Sequence, residues 1–358
     1  MSNVSEIIVI GAGIIGASIG YHLARRGADV TILDRSGPAA GATGKSFAWI
    51  NANHVADDPY HRLRYQSLTE YHRLDQELKG ALGVRWNGSL CFDVKDGALD
   101  KRLQRFRVMG YPVEEVSHNQ FRKLEANYQD PPKRALRFSL EGCVEPIRAN
   151  LALIDAAMER GGRMMCGVEV TGLRRKGEKV VGIETDCGSL DAESVVIAAG
   201  VGASDLVASI DLDLPMDNKP GLMLHCRPIE LVLTHLIWGD RIHIKQQDDG
   251  RLIIGEIFSD DQGSDDQMTV AQEMLLEARR HLPDIDIEIE KTTIGMRPIP
   301  MDGMPMVGGL GSIQGLYIAV MHSGITLAPI MGRMVAEELL DGTAFEALAP
   351  YRPDRLVV

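Results

Sequence analysis

The sequence predicts an α/β fold in two parts, a parallel-sheet unit assembled from separate stretches of chain and an antiparallel α+β unit beside it. Three observations carry this reading. The chain opens with a strand, a glycine-rich turn, a helix and a second strand between Ile7 and Arg35. Buried strands of the same kind recur in "SVVIAAGVGAS" (Ser194 to Ser204) and at the head of "GLYIAVMHSGITLAPIMGRMVAEELLDG" (Gly315 to Gly342). Between them, "HIKQQDDGRLIIGEI" (His243 to Ile257) sets strand-like runs around an Asp-Gly turn.

Ile7 to Ile10 is a β-branched run that reads as a buried parallel strand. Gly11 makes the tight turn after it, Gly13 lets backbone approach a pyrophosphate, and Gly16 lets the next helix pack close to the sheet. Ile15, Ile19 and Leu23 repeat at helical spacing, and Gly16 and Gly20 offer a flat surface beside them. Arg25 and Arg26 suit a helix C-terminus and Gly27 ends it. Val30 to Leu33 forms the second strand. Asp34 closes it at about 20 residues' remove, where an acidic side chain accepts hydrogen bonds from a ribose. Together these features predict a bound dinucleotide, with NAD and FAD both open at this point.

Ala199-Gly200 ends the middle strand in a small-residue turn able to approach a cofactor. In the closing segment Ser323 or Thr326 is placed to cap a helix, Ala328, Met331, Val335 and Leu339 follow its apolar stripe, and Gly342 ends it. Pro329 is tolerable there if it falls near the first turn. "QMTVAQEMLLEARRHLP" (Gln267 to Pro283) reads as an amphipathic helix ended by proline. "SDDQGSDDQ" (Ser259 to Gln267) reads as a solvated polar turn, and no metal site is expected.

A chain of 358 residues suits two domains. The net charge of -12 argues against nucleic acid or an anionic membrane as partner and favours a small molecule. Cys91, Cys143, Cys166, Cys187 and Cys226 are odd in number and show no metal spacing, which predicts reduced thiols in a cytoplasmic protein. The apolar start lacks a basic n-region, and the run Ile7 to Leu23 is broken by glycines and His22, so no signal peptide or membrane span is expected.

The N-terminal fingerprint, the "GATGKS" loop (Gly41 to Ser46), the "GMRPIPMDGMPMVG" segment (Gly295 to Gly308) and the closing "HSGITLAP" occur in an order that resembles one family. It is the FAD-dependent D-amino-acid oxidase superfamily, in its glycine oxidase and sarcosine oxidase branch. The likeness spans nearly the whole chain. It implies FAD, with the AMP half at Gly11, Gly13, Ile14, Ile15, Gly16, Asp34 and Arg35, and the isoalloxazine reached by Gly44, Lys45 and Ser46. Val170 in "CGVEVTGL" looks like the valine whose backbone meets the adenine, and Ala199, Gly200 and Arg297 are expected beside the cofactor. Negative charge at the pyrimidine end of a reduced flavin suits a helix N-terminus, here Ser323, Gly324, Ile325, Thr326 and Leu327. The places where relatives attach flavin covalently look like Gly295 to Met296 and Lys45, so non-covalent FAD is expected.

With cofactor motifs at both ends and in the middle, the Rossmann-like FAD-binding domain is discontinuous, covering 1–83, 141–215 and 295–358. Residues 84–140 and 216–294 are left for an antiparallel-sheet α+β substrate domain.

The resemblance implies hydride transfer from the carbon beside an amine nitrogen to the flavin, giving an imine. Arg297 matches the family arginine that holds a substrate carboxylate, a task suited to a bidentate guanidinium. A structural ion pair is the competing role. His322 precedes the flavin-facing helix and can reach substrate. Trp49 and Asn51 in "FAWINAN" are expected to wall the pocket, with His54 a weaker candidate. Met296, Met301, Met304 and Met306 read as core filler. The oxygen-activating lysine of the sarcosine oxidase branch falls at Ile253, its substrate-gripping lysine at Thr326, and its N-terminal arginine has no match in "KSFAWIN". Sarcosine and fast reaction with oxygen are therefore not implied, and oxygen or another carrier can take the electrons. Three activities remain: an FAD-dependent amino-acid oxidase or dehydrogenase, a flavin-bearing subunit working with partner chains or as a homo-oligomer, and an NAD-dependent dehydrogenase.

Overall fold

The computed structural model describes residues 6–53, 58–256 and 267–357. Strand β1 (Glu6–Ile10) runs parallel to β2 (Asp29–Asp34) on one side and to Ser194–Ile197 on the other. Strand Arg163–Cys166 extends the sheet beyond β2, and Ile313–Val320 extends it beyond Ser194–Ile197, all parallel. Lys179–Thr185 adds in parallel to Ile313–Val320, and three antiparallel strands complete nine among the described residues. Both faces are covered: Ile7 and Val9 pack into one apolar cluster, Ile8 and Ile10 into another. That alternation is why the run is hydrophobic at every position.

Helix α1 (Ile14–Arg25) packs against the closing helix Gly324–Asp341 and against Pro146–Met158. The approach is close. A Cβ on Gly332 would lie 2.2 Å from Ser18 Oγ, and one on Gly20 would lie 2.4 Å from Ile32 Cδ1.

The second sheet has eight strands among the described residues, ordered Ile289–Arg297, Lys219–Pro228, Arg251–Glu256, Ile242–Gln246, Leu236–Trp238, Ser89–Cys91, Arg134–Phe138 and Glu114–Ser117. Pairing is antiparallel except between Leu236–Trp238 and Ser89–Cys91. Helix Gln267–His281 covers one face through Ala271, Met274 and Ala278. The expected domain boundary at 295 falls inside strand Ile289–Arg297, whose pairing continues to Arg297.

Two expectations about the closing helix are corrected. Neither Ser323 nor Thr326 caps it with a side chain; Thr326 Oγ1 instead donates to Trp49 O at 3.1 Å and accepts from Asn51 N–H at 3.3 Å. Pro329 lies in the second turn, not the first. Its missing N–H would orphan the carbonyl of Ile325. Tyr71, on α2 (Asp58–Glu77), donates its hydroxyl to that carbonyl at 2.5 Å. Ser67 of the same helix donates to Thr326 O at 2.6 Å, and Ser18 of α1 donates to Ala328 O at 2.6 Å. The methionines divide as well. Met306 is buried in one apolar cluster and Met304 packs against the other, but Met296 and Met301 are 42% and 61% exposed, Met296 on the cavity wall.

Candidate active site

A cavity of about 1180 Å³ runs between the two sheets. That exceeds the roughly 300–1,000 Å³ of ordinary small-ligand pockets, leaving room for a cofactor and a second small molecule.

At one end the walls are main chain. Gly11 sits at φ +108, and its N–H donates to Leu33 O at 2.7 Å. A Cβ there would be 2.5 Å from Ala198 O, so the β1 turn admits only glycine. A Cβ on Gly16 would be 1.9 Å from Gly11 O. This glycine lies outside the cavity wall and serves helix packing, as its place in the motif predicts. Gly13, Ile14 and Ile15 line the cavity at the start of α1, whose first turn holds no acidic side chain. Ile14 N–H donates to Thr43 Oγ1 at 3.0 Å, and the Ile15 N–H precedes the first intrahelical bond, Ala17 to Gly13. Asp34 accepts from Ala12 N–H at 2.9 Å and from Ser36 and Gly37 N–H at 2.8 Å each. Three of its roughly four lone-pair sites are thus filled, which fixes the carboxylate and leaves one for a ribose hydroxyl. Arg35, Val168, Val170, Ala199 and Gly200 complete this end, with Arg35 in an exposed pair to Glu169 at 3.7 Å.

The other end is made of side chains and the closing helix. Lys45, Ser46, Ser323, Gly324, Ile325 and Thr326 line it. Gly44 does not, because it is turned against Ala39, whose carbonyl accepts its N–H at 3.0 Å. Leu327 does not either: it is buried, and its N–H donates to Ser323 O at 3.0 Å as the helix's first internal bond. The N–H groups left to the cavity end are those of Gly324, Ile325 and Thr326. One cavity therefore carries a helix N-terminus at each end, α1 for a pyrophosphate and the closing helix for a second electron-rich group. FAD is such a molecule, and the residues fit it.

Trp49, Asn51, Arg297 and His322 all line this second end, so the structure brings together the expected side chains. Trp49 is 9% exposed with an indole N–H that has no partner among the described residues, a donor that a bound molecule can satisfy. His322 is exposed in the loop before the helix. Arg297 is half-buried and faces Glu256 at 3.6 Å, longer than the roughly 2.7–2.9 Å of a strong charge-assisted bond. Burial lowers its pKa to about 10 despite the Glu256 charge. His54 and most of the 259–267 loop lie outside the described residues. Ile253 is buried and is not on the wall. Among the described residues no cluster of metal-ligating side chains occurs.

Sequence reasoning missed His243. It lines the cavity at 3% exposure, stacks on Trp238 at 5.0 Å, meets Phe47 edge-on at 4.3 Å, and has a buried Nδ1 without a partner among the described residues. Trp238 in turn lies 4.8 Å from Trp49. Burial, then Arg297 and Lys245, push its pKa down to about 3, so the imidazole is neutral. Its partner in the sheet is Gly255, where a Cβ would fall 1.9 Å from His243 Nε2. A polar residue alternating with isoleucines in "IHIKQ" was the available signal. Glu141 was also missed. Fully buried, it accepts from the Ala52 and Asn53 N–H groups, Asn53 Nδ2, Ser89 Oγ and Tyr111 Oη, and so ties the Trp49 to Asn53 loop to the second sheet.

Comparison with known proteins agrees with this geometry. The chain is 29% identical to a glycine oxidase of Bacillus licheniformis, over 94% of this chain and 93% of that one. It is 26% identical to the uncharacterized oxidoreductase YurR of Bacillus subtilis, over 97% and 98%. Its fold matches the crystal structure of glycine oxidase from Geobacillus kaustophilus with a TM-score of 0.88 at 25% identity, covering 98% and 99%. No helix among the described residues is long and apolar enough to cross a membrane. The family model described as DAO, FAD dependent oxidoreductase, matches residues 6–338, which resolves the choice between NAD and FAD: the chain belongs to the DAO family of FAD-dependent oxidoreductases.

Proposed function

We propose that this protein oxidises the carbon–nitrogen bond of an amino acid, an amine beside a carboxylate, to the imine. The observation that carries the reading is Arg297, a half-buried cation in the cavity wall together with the neutral His243 and the tryptophan pair. FAD, when bound, supplies the acceptor for the hydride. Arg297 grips the carboxylate and so fixes the position of the neighbouring C–H bond. His243 presents an uncharged ring beside the amine and adds no competing positive charge. Trp49, Trp238 and Phe47 keep water from the reacting end. The Gly324, Ile325 and Thr326 N–H groups hold negative charge there. His322 and Asn51 complete the wall on the helix side.

Lys45 and Gly295 to Met296 offer no cysteine or histidine for a covalent link, which supports non-covalent FAD. We assign 1–83, 141–215 and 295–358 to the cofactor domain and 84–140 and 216–294 to the substrate domain. The five free cysteines support a reducing, cytoplasmic setting.

The test is to add single amino acids anaerobically to the purified yellow protein while following the visible flavin band, then to admit air. Bleaching by a carboxylated amine is expected, and the rate at which colour returns separates an oxidase from a dehydrogenase that needs another carrier or partner subunit. A band bleached by simple amines and by no amino acid would overturn the reading.

A further inference from the structure

Past Asn51 the cavity continues into a polar annex walled by Asn53, Tyr60, Arg64, Asp93 and Arg102. Arg64 stands on α2 and is 5% exposed. Its Nε donates to Asn51 O at 3.0 Å and its Nη2 to Asn51 Oδ1, so a neutral residue clamps one edge of the fork. The side chain also lies over the Tyr60 ring, 5.4 Å from its centre. Nη1 has no hydrogen-bond partner, and the guanidinium has no ion-pair partner, among the described residues. The other charges of the annex are accounted for: Asp93 accepts from Arg102 at 2.7 Å, and Arg102 also donates to Asn53 O at 3.4 Å. Glu141, the buried carboxylate behind the wall, has its contacts taken by five other donors. Among the described residues of the annex wall, two arginines and one aspartate give a net charge of +1.

A buried guanidinium with one free edge in a cavity is a site for an anion, because no carboxylate among the described residues bonds to that edge and Glu141 acts on the charge only from behind the wall. Its place says where the anion comes from. Asn51, which clamps Arg64, is bonded through its N–H to Thr326 at the N-terminus of the closing helix, so the free edge belongs to the reacting end of the cavity and not to the pyrophosphate end. The Asp93 carboxylate in the same wall disfavours a dianion such as phosphate. We propose that Arg64 is a second carboxylate site, and that the substrate is an amino acid with two carboxylates, the one beside the amine on Arg297 and the distal one on Arg64. This rests on the reading given under Proposed function for Arg297.

The experiment uses the yellow holoprotein and two readouts. Succinate, glutarate and adipate are titrated against butyrate and pentanoate while the visible flavin spectrum is followed, and amino dicarboxylates are compared with neutral amino acids as bleaching substrates. One dicarboxylate length should bind at least about 10-fold tighter than the matching monocarboxylate, the worth of one charge-assisted contact. Arg64→Gln should bring that ratio to near 1. Arg64→Lys, which keeps the charge without the fork held by Asn51, should fall between. If R64Q loses FAD, the wild-type length series decides alone. Absence of any dicarboxylate preference in the wild type would overturn the proposal. So would an R64Q that keeps the preference while its flavin spectrum shifts, since Arg64 would then serve the cofactor. Bleaching by neutral amino acids with no dicarboxylate preference would sink this proposal and leave the amino-acid reading standing. An Arg64-dependent preference with no amino acid bleaching the flavin would leave Arg64 as a carboxylate site but overturn the amino-acid reading, and with it the dicarboxylate substrate.

Discussion

The two ends of the cavity are built from different material. Around Gly11, Gly13 and Asp34 the wall is made of main-chain N–H groups and of a turn glycine, Gly11, that no side chain can replace. Around Trp49, His243, Arg297 and Arg64 it is made of side chains carried in by strands and helices far apart in sequence. A main-chain wall is fixed once the fold is fixed, whereas a side-chain wall can be rewritten one residue at a time. The grip on the cofactor is therefore part of the architecture, and the choice of substrate is laid over it.

That contrast is breakable, most drastically at the glycine turn. Gly16→Val drives a side chain into Gly11 O, where even a Cβ would lie at 1.9 Å, and is expected to abolish FAD retention, read as loss of the visible band after gel filtration. A yellow G16V would show that the main-chain end adapts after all. At the other end, Arg297→Met should leave the protein yellow. It should lower kcat/KM for its best amino acid by about 2–4 kcal/mol in transition-state terms, mainly through KM. Loss of flavin from R297M would mean that the ends are not separable.

Glu141 tests whether the side-chain end has its own electrostatic liability. Burial raises its pKa from 4.5 to about 7. The folded protein then holds the proton more tightly than the unfolded chain, so this contribution to stability is complete below pH 4.5 and is lost as pH rises through 7. The loss is on the order of 3 kcal/mol. Melting curves from pH 5 to 8 should fall more steeply for the wild type than for Glu141→Gln; parallel pH profiles would refute the assignment.

The smallest effect concerns the closing helix at the reacting end. Tyr71→Phe strips the Ile325 carbonyl of its donor and should cost about 1–2 kcal/mol by chemical denaturation. Adding Pro329→Ala restores a backbone N–H to that carbonyl, so the double variant should recover part of the loss. Equal losses with and without the proline would sever the link between the two residues.

The same contrast explains what could be read from the sequence. Gly11, Gly13 and Gly16 impose local spacing, and a wall of main chain leaves its mark in consecutive residues. Strand β1, α1 and β2 were legible for that reason. Arg297 was legible only because its segment kept the family pattern. Arg64, His243 and Glu141 were not, because nothing local marks them: Glu141 meets Asn53 across 88 residues, and Asn51 meets Thr326 across 275. Leu327 was misplaced by the one-turn offset between a helix's free and bonded N–H groups, and Gly44 by a loop that turns its backbone onto Ala39.

Pro329 and Tyr71 have a consequence for descent. A chain with the tyrosine and no proline has a complete helix and a spare donor. A chain with the proline and no tyrosine has an unsatisfied carbonyl at the base of its reacting end. The favourable order of arrival is tyrosine first, and once the proline follows, the tyrosine cannot be lost without penalty. Such a pair works as a ratchet, so lineages that share the proline should also share a hydroxyl reaching it from the neighbouring helix.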